Sequence, residues 1–412
     1  MGKNILYVSW DGPQINYLES LFLPIFKELE AFGFVFHVLQ FTWGCKERRK
    51  SIKSCFENNK INYYQIRVMR GPFKIGIIFT LIIGIIKINK LIFSLSINIL
   101  MPRSTFPSIM TLFIRNKNSN FKILFDSDGL PADERVDFHG WNPKGFLYRV
   151  FRDLEALVLR NADAVITRSS KGSQILISRV GSQVDESKFF VVGNGRDVNK
   201  YGSSILKKSS IKENLGIDNK DNIIVFVGSS IKGKYLGHKI VEFFKYVHNI
   251  DKNSHLLLLI NTPKEIDELL ISGEVINSKI HVKCVHPDDV PNYLIECSLG
   301  LVFIDPSFSM KAVSAIKLGE YLLSGLPVIT TNGIGDSSEI ISEKIGLCLY
   351  SLDRLSLTGA AAWYISKVLP NINNYRVAAR QVGINNFSLN KTILSYYKAL
   401  DSIATVGVKN EG

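Results

Sequence analysis

Short apolar runs alternate with amphipathic stretches along this chain, and the alternation stops and then restarts near its middle. Strand-like runs lie at Asn4–Ser9, Val35–Gln40, Tyr63–Val68, Leu91–Leu100, Lys122–Asp126, Ala164–Thr167 and Lys188–Val192. Helical patterns fall between them at Tyr17–Phe32, Ile75–Lys87, Ser108–Lys117 and Gly145–Arg160. Strand, helix and strand in that order imply a parallel sheet with helices on both faces. After a Lys- and Ser-rich stretch at Lys200–Ser210, strands recur at Asn222–Val227, His255–Asn261, Lys279–Cys284, Leu299–Ile304 and Val328–Thr331, with a helix at His238–His248. The expectation is an α/β chain of two doubly wound, Rossmann-like domains, 1–198 and 199–388. A terminal helix within 389–412 is expected to pack back on the first domain and to be followed by a tail. Open α/β sheets bind ligands beyond the carboxyl ends of their strands. A cleft between the two domains is therefore the default site.

Composition narrows the partners. Apolar residues make up 46% of the 412 and charged ones 21%, which fits a folded chain rather than a disordered one. A formal charge of +13 favours phosphorylated substrates, a polyanion or an anionic membrane surface. A Lys-, Asn- and Ile-rich composition would also give that charge without any function. No nucleic-acid-binding motif is present, so nucleic acid is not expected as a partner. The five cysteines lack a C-x-x-C pair and the seven histidines are scattered, which argues for reduced thiols and no metal site. Lys3–Val8 reads as a first strand rather than a secretion signal, and a cytoplasmic location, peripheral on the inner membrane, is expected. The apolar stretch Ile75–Leu100 is broken by Lys87 and Lys90. It reads as a buried helix leading into a strand, with a helix dipping into the membrane interface as the alternative.

Ser314–Asp336 carries the densest chemistry. Ser314 suits an N-cap, Ile316, Leu318, Tyr321 and Leu322 form an apolar stripe, and Gly325 and Pro327 end the helix. Lys317 is anomalous, because a helix N-terminus favours anions over cations. A phosphate held by free backbone N–H groups and the ammonium would explain it. Glu320, one turn later, offers an acceptor for sugar or ribose hydroxyls. The alternative is a solvated lysine on an ordinary surface helix.

On this two-domain plan, the motifs resemble glycosyltransferase family 4, of the GT-B fold, in its bacterial surface-polysaccharide branch. Glu320 with Gly325-Leu-Pro-Val-Ile329 is similar to the second half of the family's paired-glutamate motif. The resemblance implies that this glutamate holds the nucleotide ribose. The first glutamate would fall at Ala312 and is absent. Ser314-Ala-Ile-Lys317 approximates the branch's Ser-Pro-x-Lys. In Val227–Tyr235, Lys234 stands at the family's diphosphate-gripping lysine, Ser229 replaces an arginine, and Lys232 is a candidate to compensate. Asn194 and Gly195 match the segment that ends the first domain, with Arg196 in place of the usual valine.

In the first half, Asp11 and Gly12 follow the first strand, and Gly12 would let backbone N–H groups approach a phosphate. Arg103 ends another strand, where an exposed guanidinium would clamp a phosphate, with Met101 in place of a histidine. Asp126–Val136 resembles a charged family segment in which Gly129, Asp133, Glu134 and Arg135 match and Asp128 replaces an arginine.

The resemblance therefore implies a retaining glycosyltransferase without a metal ion or other cofactor. Lys317, Glu320 and Lys234 would be the catalytic residues, the two lysines stabilising the departing diphosphate and Glu320 holding the ribose, while Gly12, Ser229, Lys232, Ser314 and Asn194 contact the donor. Asp11, Arg103, Asp128, Glu134 and Arg135 would contact the acceptor, a glycan or a polyprenyl-diphosphate-linked saccharide. A non-catalytic module binding a glycan or a partner transferase is the alternative, and a nucleotide-sugar epimerase, which shares the GT-B plan, is a third.

Overall fold

The structure is a computed structural model that describes residues 2–12, 16–69, 75–115, 120–181, 184–202, 210–269 and 275–404. Part of the Lys200–Ser210 stretch and the end of the tail lie outside the described residues. The chain divides into two compact units, Met1–Gly193 with Thr392–Gly412, and Asn194–Lys391.

The first unit holds seven parallel strands: β1 (Lys3–Asp11), β2 (Phe34–Thr42), β3 (Asn62–Arg67), β4 (Ile99–Pro102), β5 (Lys122–Asp126), β6 (Ala164–Thr167) and β7 (Phe189–Val191). Their order is β3-β2-β1-β4-β5-β6-β7. The second unit holds six more: β8 (Asn222–Gly228), β9 (Ser254–Ile260), β10 (Ile280–Lys283), β11 (Leu299–Val302), β12 (Val328–Thr331) and β13 (Gly346–Leu349). These run β10-β9-β8-β11-β12-β13, again parallel. Helices cover both faces of a doubly wound sheet, which is why central runs such as Ile5–Val8 and Leu256–Leu259 are apolar without alternation and buried. Strand order reverses between β1 and β4 and again between β8 and β11, so each unit has a switch point at which a ligand can sit.

Several expected elements shift. The helix Ile75–Ser94 continues through the region expected to be a strand, and only Ile99–Pro102 pairs with β1. An unbroken apolar run does not by itself distinguish helix from strand. That helix is not buried: Ile78 and Ile86 are 58% and 64% exposed. The helix expected at Ser108 begins at Thr105. The charged segment after β5 forms a helix, Pro131–His139. The polar helices Lys46–Asn58 and Ser170–Val180 also form, although neither carries an obvious apolar stripe. The terminal helix Leu389–Ala404 buries Tyr396, Leu400 and Ile403, and from Thr392 onward it belongs to the first unit.

Candidate functional site

In the second unit, the helix Ile316–Leu323 points its first turn toward the end of β8. The buried Tyr321 hydroxyl accepts a hydrogen bond from Val227 N–H at 2.8 Å and fixes that approach. Gly325 follows with φ of 74°, a left-handed stop that glycine adopts without strain. Ser314 is not the cap. Ala315 occupies that position, no side chain caps the turn, and the Ser314 carbonyl accepts a hydrogen bond from Asn194 Nδ2 at 3.3 Å. The uncapped start leaves backbone donors for a ligand.

Lys317 sits in this first turn. Its Nζ lies 3.6 Å from the centre of the Tyr235 ring and 5.4 Å from that of Phe226. Lys234 Nζ lies 5.9 Å from the same Tyr235 ring. Among the described residues neither ammonium has a carboxylate partner. Burial of Lys317, with the charge of Lys234 adding to it and Glu320 opposing it, pushes its pKa down to about 7. The aromatic faces compensate in part through cation–π attraction.

Glu320 is held in place on one oxygen. Arg196 Nε donates to its Oε1 at 3.0 Å and the Tyr201 hydroxyl donates at 3.1 Å. Its Oε2 has no partner among the described residues and is open to a hydroxyl. The Arg196 backbone is itself paired with the Phe387–Leu389 segment. Sequence reasoning gave Arg196 and Tyr201 no binding role, and missed Tyr235 and Phe226 as walls of the lysine site. The signal was an aromatic residue directly after Lys234. Lys232 does not join the cluster, because it is exposed and ion-paired with Glu268. Ser229 is exposed, and its carbonyl accepts from Asn261 N–H at 3.3 Å. The loop between them is tied down by Glu265, which accepts from the Ser230 hydroxyl at 2.6 Å and from Ile231 N–H at 3.0 Å.

The first unit presents a different arrangement at its switch point. Arg103, at the end of β4, is 4% exposed rather than free to clamp a phosphate. Its guanidinium pairs with Asp126 at 3.3 Å and Asp128 at 2.6 Å and lies over the Phe22 ring. Asp126 is fully buried and also pairs with Arg168, whose Nη1 donates to the Tyr396 hydroxyl at 3.1 Å. Two guanidiniums around one carboxylate satisfy charges that would otherwise be too costly to bury. Asp128 is therefore positioned by Arg103 and stays partly exposed. Burial pushes the Asp11 carboxyl up, and Arg103 pulls it part of the way back. Gly12 lies against Trp43, whose ring would be 3.0 Å from an added Cβ. Arg135 lies over Trp141 and Phe151 rather than in the ion cluster. Glu134, in the first turn of the same helix, is partly exposed.

A recess of about 360 Å³, counting its open mouth, is lined by Ser104, Ser108, Ser127, Asp128 and Glu155 among others. Ser104 there has φ of 66° and ψ of −175°, a region ordinarily occupied by glycine, which costs about 1–3 kcal/mol. Among the described residues no three His, Cys, Asp or Glu side chains converge as metal ligands.

No protein-family model and no curated protein matches the chain. Solved structures do. HepE of Anabaena, solved with UDP, superposes with a TM-score of 0.69 at 13% identity, covering 97% of this chain and 100% of its own. A glycosyltransferase from Rickettsia africae gives 0.71 at 17% identity, covering 98% and 100%. Sucrose-phosphate synthase of Thermosynechococcus elongatus gives 0.70 at 15% identity, with the same coverage. The fold is GT-B. At these identities the likeness establishes the fold alone. In this GT-B chain Ala312, where the family resemblance would place the first glutamate of a pair, is buried in a short 3-10 turn, Phe308–Ala312.

Proposed function

We propose that the second unit binds a nucleoside-diphosphate sugar and that the chain transfers the sugar, with retention of configuration, to a glycan or polyprenyl-diphosphate-linked acceptor in bacterial surface-polysaccharide synthesis. The observation that carries this reading is Lys317. A partly buried ammonium with a second ammonium nearby, no carboxylate partner among the described residues and an uncapped helix start behind it lacks an anion, and a diphosphate supplies one. The superposable HepE was solved with UDP, which makes UDP the first nucleotide to test.

In the transfer, the bond between the sugar's anomeric carbon and the β-phosphate oxygen breaks, and its electron pair stays on that oxygen. The acceptor oxygen forms the new bond on the same face and its proton passes to the departing phosphate. Lys317, Lys234 and the helix start stabilise charge that grows on the diphosphate as the bond breaks. Glu320 Oε2, fixed by Arg196 and Tyr201 through Oε1, accepts hydrogen bonds from the ribose. Asp11, Asp128 and Glu134 are the acceptor-side carboxylates that remain at least partly exposed.

Lys317→Ala should lower kcat/KM for sugar transfer at least about 100-fold, the usual scale for removing one preorganised charge-stabilising group. Glu320→Ala should weaken nucleotide binding and release Arg196. Normal rates in both variants would remove this site from consideration. Ala312, where the first glutamate is missing, favours a second reading as a non-catalytic binding module. Nucleotide-sugar binding without transfer or hydrolysis would select it.

A further inference from the structure

The helix Ile75–Ser94 is built inside out. Gly76, Thr80, Gly84 and Ile88 face the body of the first unit, while Ile75, Ile78, Phe79, Ile82, Ile83 and Ile86 are exposed. Those six positions follow the spacing of one helical face. The small residues bring the helix close to the body: a Cβ on Gly84 would fall 2.5 Å from Met110 Sδ and 2.7 Å from Phe41 Cζ. Thr80 fixes the register, donating to the Gly76 carbonyl at 2.7 Å and accepting from Met69 N–H at 3.0 Å. Met69 is exposed beside it. A core helix turns its large side chains inward, so packing within the unit does not explain this one. A contiguous exposed apolar face of this kind marks an interaction site.

The charge around it selects the partner. From Glu57 to Asp126 the sequence has no acidic residue in between, yet it carries ten lysines and arginines. Arg67, Lys87 and Lys90 belong to this acid-free tract and have no carboxylate partner among the described residues. The helix is long and apolar enough to cross a bilayer, with mean hydropathy 2.1. Crossing is excluded by topology, since it joins β3 to β4 and both lie in one parallel sheet. We propose that this helix lies in the plane of an anionic bilayer surface. Its isoleucines and Phe79 enter the acyl boundary, and Arg67, Lys87 and Lys90 meet lipid phosphates. The proposal rests on exposure and charge alone and stands or falls separately from the donor site.

Sedimentation of the full chain with vesicles of mixed phosphatidylglycerol and phosphatidylcholine tests it. The chain should bind the mixed vesicles and bind pure phosphatidylcholine much more weakly, with binding falling as salt rises. Replacing Ile78, Ile82 and Ile86 together by asparagine should cut partitioning roughly tenfold or more while the thermal transition stays in place. Lys87→Glu with Lys90→Glu should abolish the preference for phosphatidylglycerol. Three results overturn the proposal: no binding to mixed vesicles, equal binding by the isoleucine variant, or a dimer in solution that this variant disperses. The last would make a second copy of the chain the occupant.

Discussion

Lys317 holds its proton only at a cost in the free protein. Its pKa is about 7, against about 10.4 in an unfolded chain. Between those values the unfolded chain binds the proton and the folded one does not. This group therefore makes the free protein more stable as pH rises through that window, with the penalty fully present below pH about 7. A bound diphosphate reverses the balance and draws the proton back. UDP binding above pH about 7 should accordingly take up close to one proton, and affinity should fall by up to about tenfold per pH unit. Calorimetry in buffers of different ionisation enthalpy measures both, and Lys317→Met should abolish the uptake without lowering Tm. Uptake that survives in Lys317→Met would assign the proton to another group. The lysine itself was legible in the sequence because a cation in a helix first turn is out of place. Its surroundings were not. Arg196 and Tyr201 reach Glu320 from more than a hundred positions away, and nothing local to either residue indicates that contact.

At the scale of elements, the end of β5 shows how burial changes the meaning of a charge. The charged run Asp126–Val136 reads as an acceptor-facing segment, yet Asp126 is sealed between Arg103 and Arg168 with Tyr396 beside them. Asp126→Ala leaves the buried Arg168 guanidinium without a carboxylate and Arg103 with Asp128 alone, and should cost about 3–5 kcal/mol. Tyr396→Phe removes only a hydroxyl and should cost about 1 kcal/mol. Urea unfolding followed by circular dichroism separates the two, and comparable losses would mean that the network is not centred on Asp126. Most strands were legible because both faces of each sheet are covered, which forces long apolar runs, but the edge strand Gly346–Leu349, mostly half-buried, was not. The helix Lys46–Asn58 was not, because it buries little beyond Ile52 and Phe56. The helix Ile75–Ser94 was placed correctly at its start but ended too early, at Lys87, for the opposite reason, having apolar residues on nearly every side.

At the scale of the whole molecule, the two units differ in how the chain builds them. The second is continuous, Asn194–Lys391, and contains Lys234, Lys317, Glu320, Arg196 and Tyr201 together with its complete six-stranded sheet. The first is assembled from Met1–Gly193 and the chain's far end. Its carboxylate cluster is closed by Tyr396, and Leu400 and Ile403 from the same helix are buried. A fragment spanning 194–391 should therefore fold alone and bind UDP within about threefold of the full chain, a difference well under 1 kcal/mol. A fragment spanning 1–193 should lose the buried face that the terminal helix covers and aggregate, and adding the 389–404 helix as a peptide should restore a cooperative transition. Calorimetric titration of UDP into the 194–391 fragment is the decisive measurement. An affinity more than tenfold weaker than that of the full chain, in a fragment that still melts cooperatively, would show that the nucleotide needs groups from the first unit and that Lys317 and Glu320 do not form a sufficient site.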